Sequence, residues 1–190
     1  MLVGSIVVLV VLILLAIVVI GALIGIYNGL VGAKNQVKNA WAQIDVQLKR
    51  RHDLIPNLLE AVKGYMAHET NTLQKITELR QQAINVKGAD ASTIAQVENQ
   101  LSGALKSLFA LSENYPDLKA SQNFLQFQEE LASTENKISF ARQFYNDSVM
   151  VYNNKTQMFP SNIIAGMFNF TQEAFFEAPD SEKEVPQVKF

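Results

Sequence analysis

A chain of 190 residues with 16 Lys and Arg against 18 Asp and Glu, formally −2, is one domain with its attachments and has no basic face for nucleic acid. With no cysteine in it, a disulfide framework, a thiolate metal site and a lipidated cysteine are excluded.

The first element is the most legible. No Asp, Glu, Lys, Arg or His occurs from Met1 to Ala33, and Ile6 to Ile20 is unbroken aliphatic. About 20 apolar residues cross the roughly 30 Å hydrocarbon core, so Leu2–Ile26 predicts a transmembrane helix and makes the lipid bilayer the first expected partner. A cleaved signal peptide would want a positive n-region and a shorter apolar run. An uncut anchor therefore fits better. The positive charges Lys34, Lys38, Lys49, Arg50 and Arg51 all follow the span, which predicts the N-terminus outside and the rest of the chain in the cytoplasm. The expected organisation is an anchor at 1–27, a helical bundle at 28–178 and a flexible tail at 179–190.

Beyond the anchor the apolar period is helical. Val37, Trp41, Ile44, Leu48, Arg51, Ile55, Leu58, Val62 and Tyr65 step by four and three, the pattern of a seam that buries one helix against another. Pro56 removes the backbone bond to His52 and predicts a kink. A loop is expected at 86–91, with Ser92 as N-cap, before a second stretch on Ile94, Val97, Leu101, Ala104, Leu108 and Leu111. Asn114–Tyr115–Pro116 ends that stretch, with Asp117 as a candidate cap. A third runs from Phe124 to Tyr152, and a short apolar helix is expected from Ile163 to about Phe176. The fold class is all-α. The unequal stretches fit together if the first breaks near Arg51–Pro56, if the second and third run end to end, or if part of the first seam is left for a second copy of the chain.

Catalytic, cofactor and metal residues are not expected. His68–Glu69 begins like a zinc-protease motif, but Thr72 stands where the second histidine would be. Arg51 on the first seam and Glu135 beside the third are the notable charges. A charge in a core must be paired or reach water, so the two are candidates for a buried pair that fixes helix register. Trp41 and Pro56 are further structural candidates. Phe168, Phe175 and Phe176 lie in an aromatic C-terminal stretch that suits capping of the bundle end better than lying on a membrane, because Lys and Arg are absent from it.

Taken together, Tyr27–Asn28–Gly29–Leu30–Val31, Lys34–Asn35–Gln36–Val37, Ala40–Trp41, Ile44–Asp45–Val46–Gln47–Leu48–Lys49–Arg50–Arg51 and Asp53–Leu54–Ile55–Pro56–Asn57–Leu58 resemble the LemA family. So do Tyr115–Pro116–Asp117–Leu118–Lys119–Ala120, Glu135–Asn136, Tyr145–Asn146, Tyr152–Asn153 and Pro160–Ser161–Asn162. The resemblance implies a bacterial single-pass inner-membrane protein with an antiparallel, long-helix bundle of four-helix type in the cytoplasm. It brings no catalytic residues with it. The expected function is a non-enzymatic membrane scaffold that forms homo-oligomers. The alternative is an adaptor presenting its bundle to a membrane enzyme or signalling protein.

Overall fold

The computed structural model describes residues 2–177, with side chains from residue 4; the tail expected at 179–190 lies outside the described residues. These form six helices: α1 (Leu2–Lys63), α2 (Thr70–Asn85), α3 (Ala91–Ser112), α4 (Pro116–Lys119), α5 (Gln122–Gln157) and α6 (Ser161–Met167). They divide into two compact units, residues 2–39 with Asp147–Glu173, and Ala40–Asn146 with 174–177.

Helix α1 continues from the apolar run into the seam without interruption, with Pro56 inside it. Pro56 does not break the helix, and the reason lies in the acceptor it frees. Lacking an N–H from position 56, the His52 carbonyl instead accepts a 2.7 Å hydrogen bond from Arg80 Nε of α2. The helix ends at Lys63. Tyr65, expected on the seam, is therefore 45% exposed in the following turn, and Met66 is fully buried in its place. In its first half α1 is the one helix among the described residues long and apolar enough to cross a membrane, with its apolar window wholly exposed.

In the second unit, contacts on α1 move toward its N-terminus as their partners move toward the C-terminus of α2 and α5. His52 meets Arg80 and Asp45 meets Lys87 at 3.5 Å. Arg50 pairs with Glu130, and Trp41 stacks edge-on against Tyr145. Helices α3 and α5 are likewise opposed, through Ser102–Glu135 and Phe109–Phe124. The unit is an antiparallel four-helix bundle. Its core joins Ile55, Leu58 and Val62 of α1 to Ile76 and Leu79 of α2, Leu101, Leu105 and Leu108 of α3, and Phe124 and Leu131 of α5. Each such side chain contributes about 1.5–3 kcal/mol through burial. Two caps differ from expectation. Asp90, not Ser92, caps α3, its carboxylate accepting from the Thr93 N–H at 2.9 Å and the Thr93 hydroxyl at 2.7 Å. Asp117 lies within the short α4 rather than before α5, because Pro116 opens a turn of helix of its own.

In the first unit, Leu30 buries against Ile164 and Ala165 of α6, with Ile26 and Phe170 packed around them. The helix expected to reach Phe176 stops at Met167. Asn169 takes a left-handed φ of 55°, and the Phe170 N–H turns back to the Ala165 carbonyl at 2.9 Å. That is a Schellman C-cap with asparagine in the position glycine usually fills. The chain from Phe168 to Glu177 is non-helical.

Candidate functional site

The polar centre of the bundle is Arg51, 1% exposed. Seam periodicity places it inward, and α3 and α5 supply its partners. Its Nη2 pairs with Glu98, while Nη1 donates to Ser102 Oγ at 2.6 Å and to Glu135 Oε2 at 2.7 Å. Ser102 Oγ donates onward to Glu135 Oε1 at 3.1 Å. His52 Nε2 lies 2.8 Å from the other oxygen of Glu98; an ionised carboxylate only accepts, so that nitrogen carries the proton. Arg51 Nε is buried and meets no acceptor among the described residues. One guanidinium thus ties three helices together.

Burial would push the Glu98 carboxyl up, but the hydrogen bond from His52 and the charge of Arg51 outweigh it and hold Glu98 below the ordinary 4.5. The sign follows. A carboxyl depressed by folding stabilises the fold above its unfolded value, and that contribution is lost as pH falls through the folded value. The bundle is therefore expected to lose stability on acidification below about pH 4.5. Glu98→Gln should flatten this acid limb in urea unfolding followed across pH; an unchanged slope would assign it to other carboxylates.

Two cavities flank the cluster. One of about 390 Å³ is lined by Trp41, His52, Lys87 and Glu98 among others, and one of about 290 Å³ by Arg51, Ser102, Phe109 and Glu135. A third concavity, of about 630 Å³, lies between α1 and α5 and is lined by Val46, Gln47, Lys137, Phe140 and Phe144 among others. Phe140 is 73% exposed there and Val46 62%, while Gln47 Oε1 is buried without a partner among the described residues. No group of three metal-ligating side chains converges among the described residues. The chemistry on view is ion pairing and burial.

Of the residues singled out from sequence, Arg51 and Glu135 meet directly, Glu135 with 42% of its side chain exposed. Trp41 is half-buried, its ring centroid 5.2 Å from that of Tyr145 and 6.1 Å from that of Phe176. Pro56 faces solvent. The three phenylalanines do not form one patch: Phe168 stacks on Tyr27 at 4.8 Å in the first unit, Phe176 is buried in the second, and Phe175 is 46% exposed.

Sequence reasoning missed Glu98, Ser102 and His52. It also missed what the repeated Tyr–Asn pair does. In the second unit Asn146 clamps Phe176, donating to its carbonyl at 3.0 Å and accepting from its N–H at 2.9 Å, while Tyr145 donates to Ala174 O at 2.9 Å. In the first unit Asn153 does the same to Glu173 with two 2.9 Å bonds, and Tyr152 donates to Thr171 O at 2.8 Å. The identical dipeptides, one heptad apart on one helix, were the available signal.

A model of the LemA family matches residues 40–190. Protein LemA of Metamycoplasma hominis is 30% identical over 160 residues, covering 84% of this chain and 73% of the relative. Magnetosome protein MamQ of Magnetospirillum gryphiswaldense is 22% identical, covering 85% of this chain and 70% of the relative, and Magnetosome protein MamQ 2 of Paramagnetospirillum magneticum aligns equally well. None of these names is that of an enzyme.

Proposed function

The chain belongs to the LemA family, and from that premise we propose that it is a non-enzymatic scaffold, held in a bacterial inner membrane by Leu2–Ile26, that self-associates to organise membrane or membrane complexes. The N-terminus lies outside and the bundle in the cytoplasm, in keeping with the positive charges that follow the span. The observation that carries the reading is the concavity between α1 and α5. An aromatic-edged groove with Val46 and Phe140 exposed, and Lys137 the charged residue in its lining, is what an interface between copies leaves open in a single copy. A two-fold contact would cover Val46 and Phe140 of both copies at once.

Sedimentation of the detergent-solubilised chain is expected to show species larger than the monomer. Phe140→Glu, which places a charge in the groove without touching the core, should return them to monomer. Monomer alone at cellular concentrations, in the unaltered chain, would remove the scaffold and leave the adaptor, whose assembly waits for another protein.

A further inference from the structure

We infer that α6 and the turn before it, from Met158 to Phe168, form a second lipid contact, seated in the interfacial layer of the same bilayer that α1 crosses. This rests on α1 being in a membrane and goes beyond it, since the segment lies far along the chain from the span.

Four observations within the first unit converge. First, α6 is apolar on both sides. Ile164 and Ala165 are buried on Leu30, yet the opposite side shows Ile163 at 54% and Met167 at 70% exposure, and the preceding turn adds Met158 at 63% and Phe159 at 80%. Ser161 and Asn162 give the helix a narrow polar edge, but an apolar patch of this kind is unusual on a surface facing water. Second, no Asp, Glu, Lys, Arg or His occurs between Lys155 and Glu173, although this part of the chain is well exposed.

Third, the patch is continuous with the span. Leu23, Ile24 and Tyr27 of α1 join Ile164, Met167 and Phe168 around an apolar groove of about 340 Å³. Along α1, Leu23 lies roughly 5 Å on the membrane side of Ile26, so Met167 and Phe168 sit level with the last turn of the apolar run. Water is not the neighbour that such a groove would have there; acyl chains are. Fourth, the cations stand where headgroups would be. Lys155 Nζ is 3.2 Å from the Gly29 carbonyl, roughly 5 Å beyond Ile26 along the helix. Lys34 Nζ stands 5.7 Å above the Phe170 ring, with Tyr27 stacked on Phe168 and Phe170 just beneath. Aromatic rings at the boundary with ammonium groups beyond them is the layering of a membrane interface. The polar side that interfacial helices usually carry is reduced here to Ser161 and Asn162, because a second side of α6 is taken up by Leu30 of α1.

The test uses the full chain reconstituted in phosphatidylcholine–phosphatidylglycerol vesicles, with part of the lipid brominated on its upper acyl carbons. Trp41→Phe removes the single native tryptophan, and one tryptophan is returned at a time: Phe159→Trp or Met167→Trp as probes, Leu15→Trp within the span, and Tyr65→Trp in water. Both probes are expected to lose a large fraction of their emission to bromine, comparable with Leu15→Trp, while Tyr65→Trp loses little. Quenching of Leu15→Trp with probes that behave like Tyr65→Trp overturns the interfacial contact and leaves the anchor standing. Failure of Leu15→Trp to quench overturns both. Blue-shifted but unquenched probes also overturn it, and assign the patch to a second copy if the shift grows with protein concentration or to another protein contact if it does not. The absence of native cysteine gives an independent readout without altering Trp41: Ile163→Cys should label with a water-soluble maleimide about tenfold more slowly in vesicles than Tyr65→Cys, since apolar surroundings suppress the thiolate. Equal rates overturn the contact.

Discussion

Arg51→Met is expected to destabilise the bundle by about 3–5 kcal/mol, the largest loss of any single change outside the apolar core. The cost comes from what is left behind. Glu98 has 3% of its side chain exposed and cannot be rehydrated in place, whereas Glu135 is 42% exposed and can. Removing the guanidinium therefore leaves a buried carboxylate with the His52 N–H but no compensating guanidinium, together with a Ser102 hydroxyl that has lost its donor. The same reasoning makes the loss reversible. Arg51→Met combined with Glu98→Leu removes both buried charges, and a buried pair replaced by apolar groups of similar volume is often neutral or better. The double variant should recover most of the loss, short of the roughly 1–3 kcal/mol that the His52 N–H forfeits with its Glu98 acceptor, while Glu135→Gln alone costs about 1 kcal/mol or less. Urea unfolding in micelles, followed by far-ultraviolet circular dichroism and Trp41 fluorescence, measures all three. Equal losses for the single and double variants would mean that the ionic contacts stabilise in their own right. If instead the cluster serves register, the double variant is stable but unfolds over a broader transition, because nothing polar then selects one alignment of α1 against α3 and α5.

That cluster also shows where sequence stops being sufficient. Arg51 was legible because a charge interrupts an otherwise apolar four-three pattern, and Glu135 because it adjoins the facing seam. Glu98 was not, since the α3 stretch fits two phases equally well. Following the apolar period selects Val97 and Ala104, which pack against the core only partly buried, whereas the fully buried phase includes Ile94, Glu98, Leu101, Leu105 and Leu108. Only the demand that a buried arginine find a buried carboxylate selects the second phase, and that is a tertiary argument. The continuity of α1 through Pro56 is similar. Sequence shows that the His52 carbonyl loses its donor, but Arg80 arrives from another helix. The long helices and the all-α class were readable because their signals are local and repeat many times. The end of α6 rests on one asparagine in a left-handed conformation, which composition alone does not announce.

Phe176→Ala is expected to release the segment from Ala174 to Glu177 while the bundle helices persist. Phe176 is 1% exposed and packs against Trp41, and truncating a buried phenylalanine costs about 3–5 kcal/mol where its surroundings stay in place. What else holds the segment in this unit is a handful of hydrogen bonds: two with Asn146, one from Tyr145 and a 3.3 Å bond from Asn99 to Glu177 O. At about 0.5–1.5 kcal/mol net each, they are comparable with the side chain that is lost. The segment should therefore open locally instead of drawing the bundle down with it. Amide exchange at Phe176, whose N–H is held by Asn146 Oδ1, should quicken by about a hundredfold or more, at 1.4 kcal/mol per decade. Trp41 emission should shift to longer wavelength as its cover leaves. Helical ellipticity should not change, because the segment is not helical. Phe175→Ala, next door but 46% exposed, should lie within about 0.5 kcal/mol of the unaltered chain. A uniform rise in exchange across α3 and α5 would show instead that Phe176 belongs to the cooperative core, with the Tyr–Asn clamp serving the stability of the whole bundle and not just the seating of one segment.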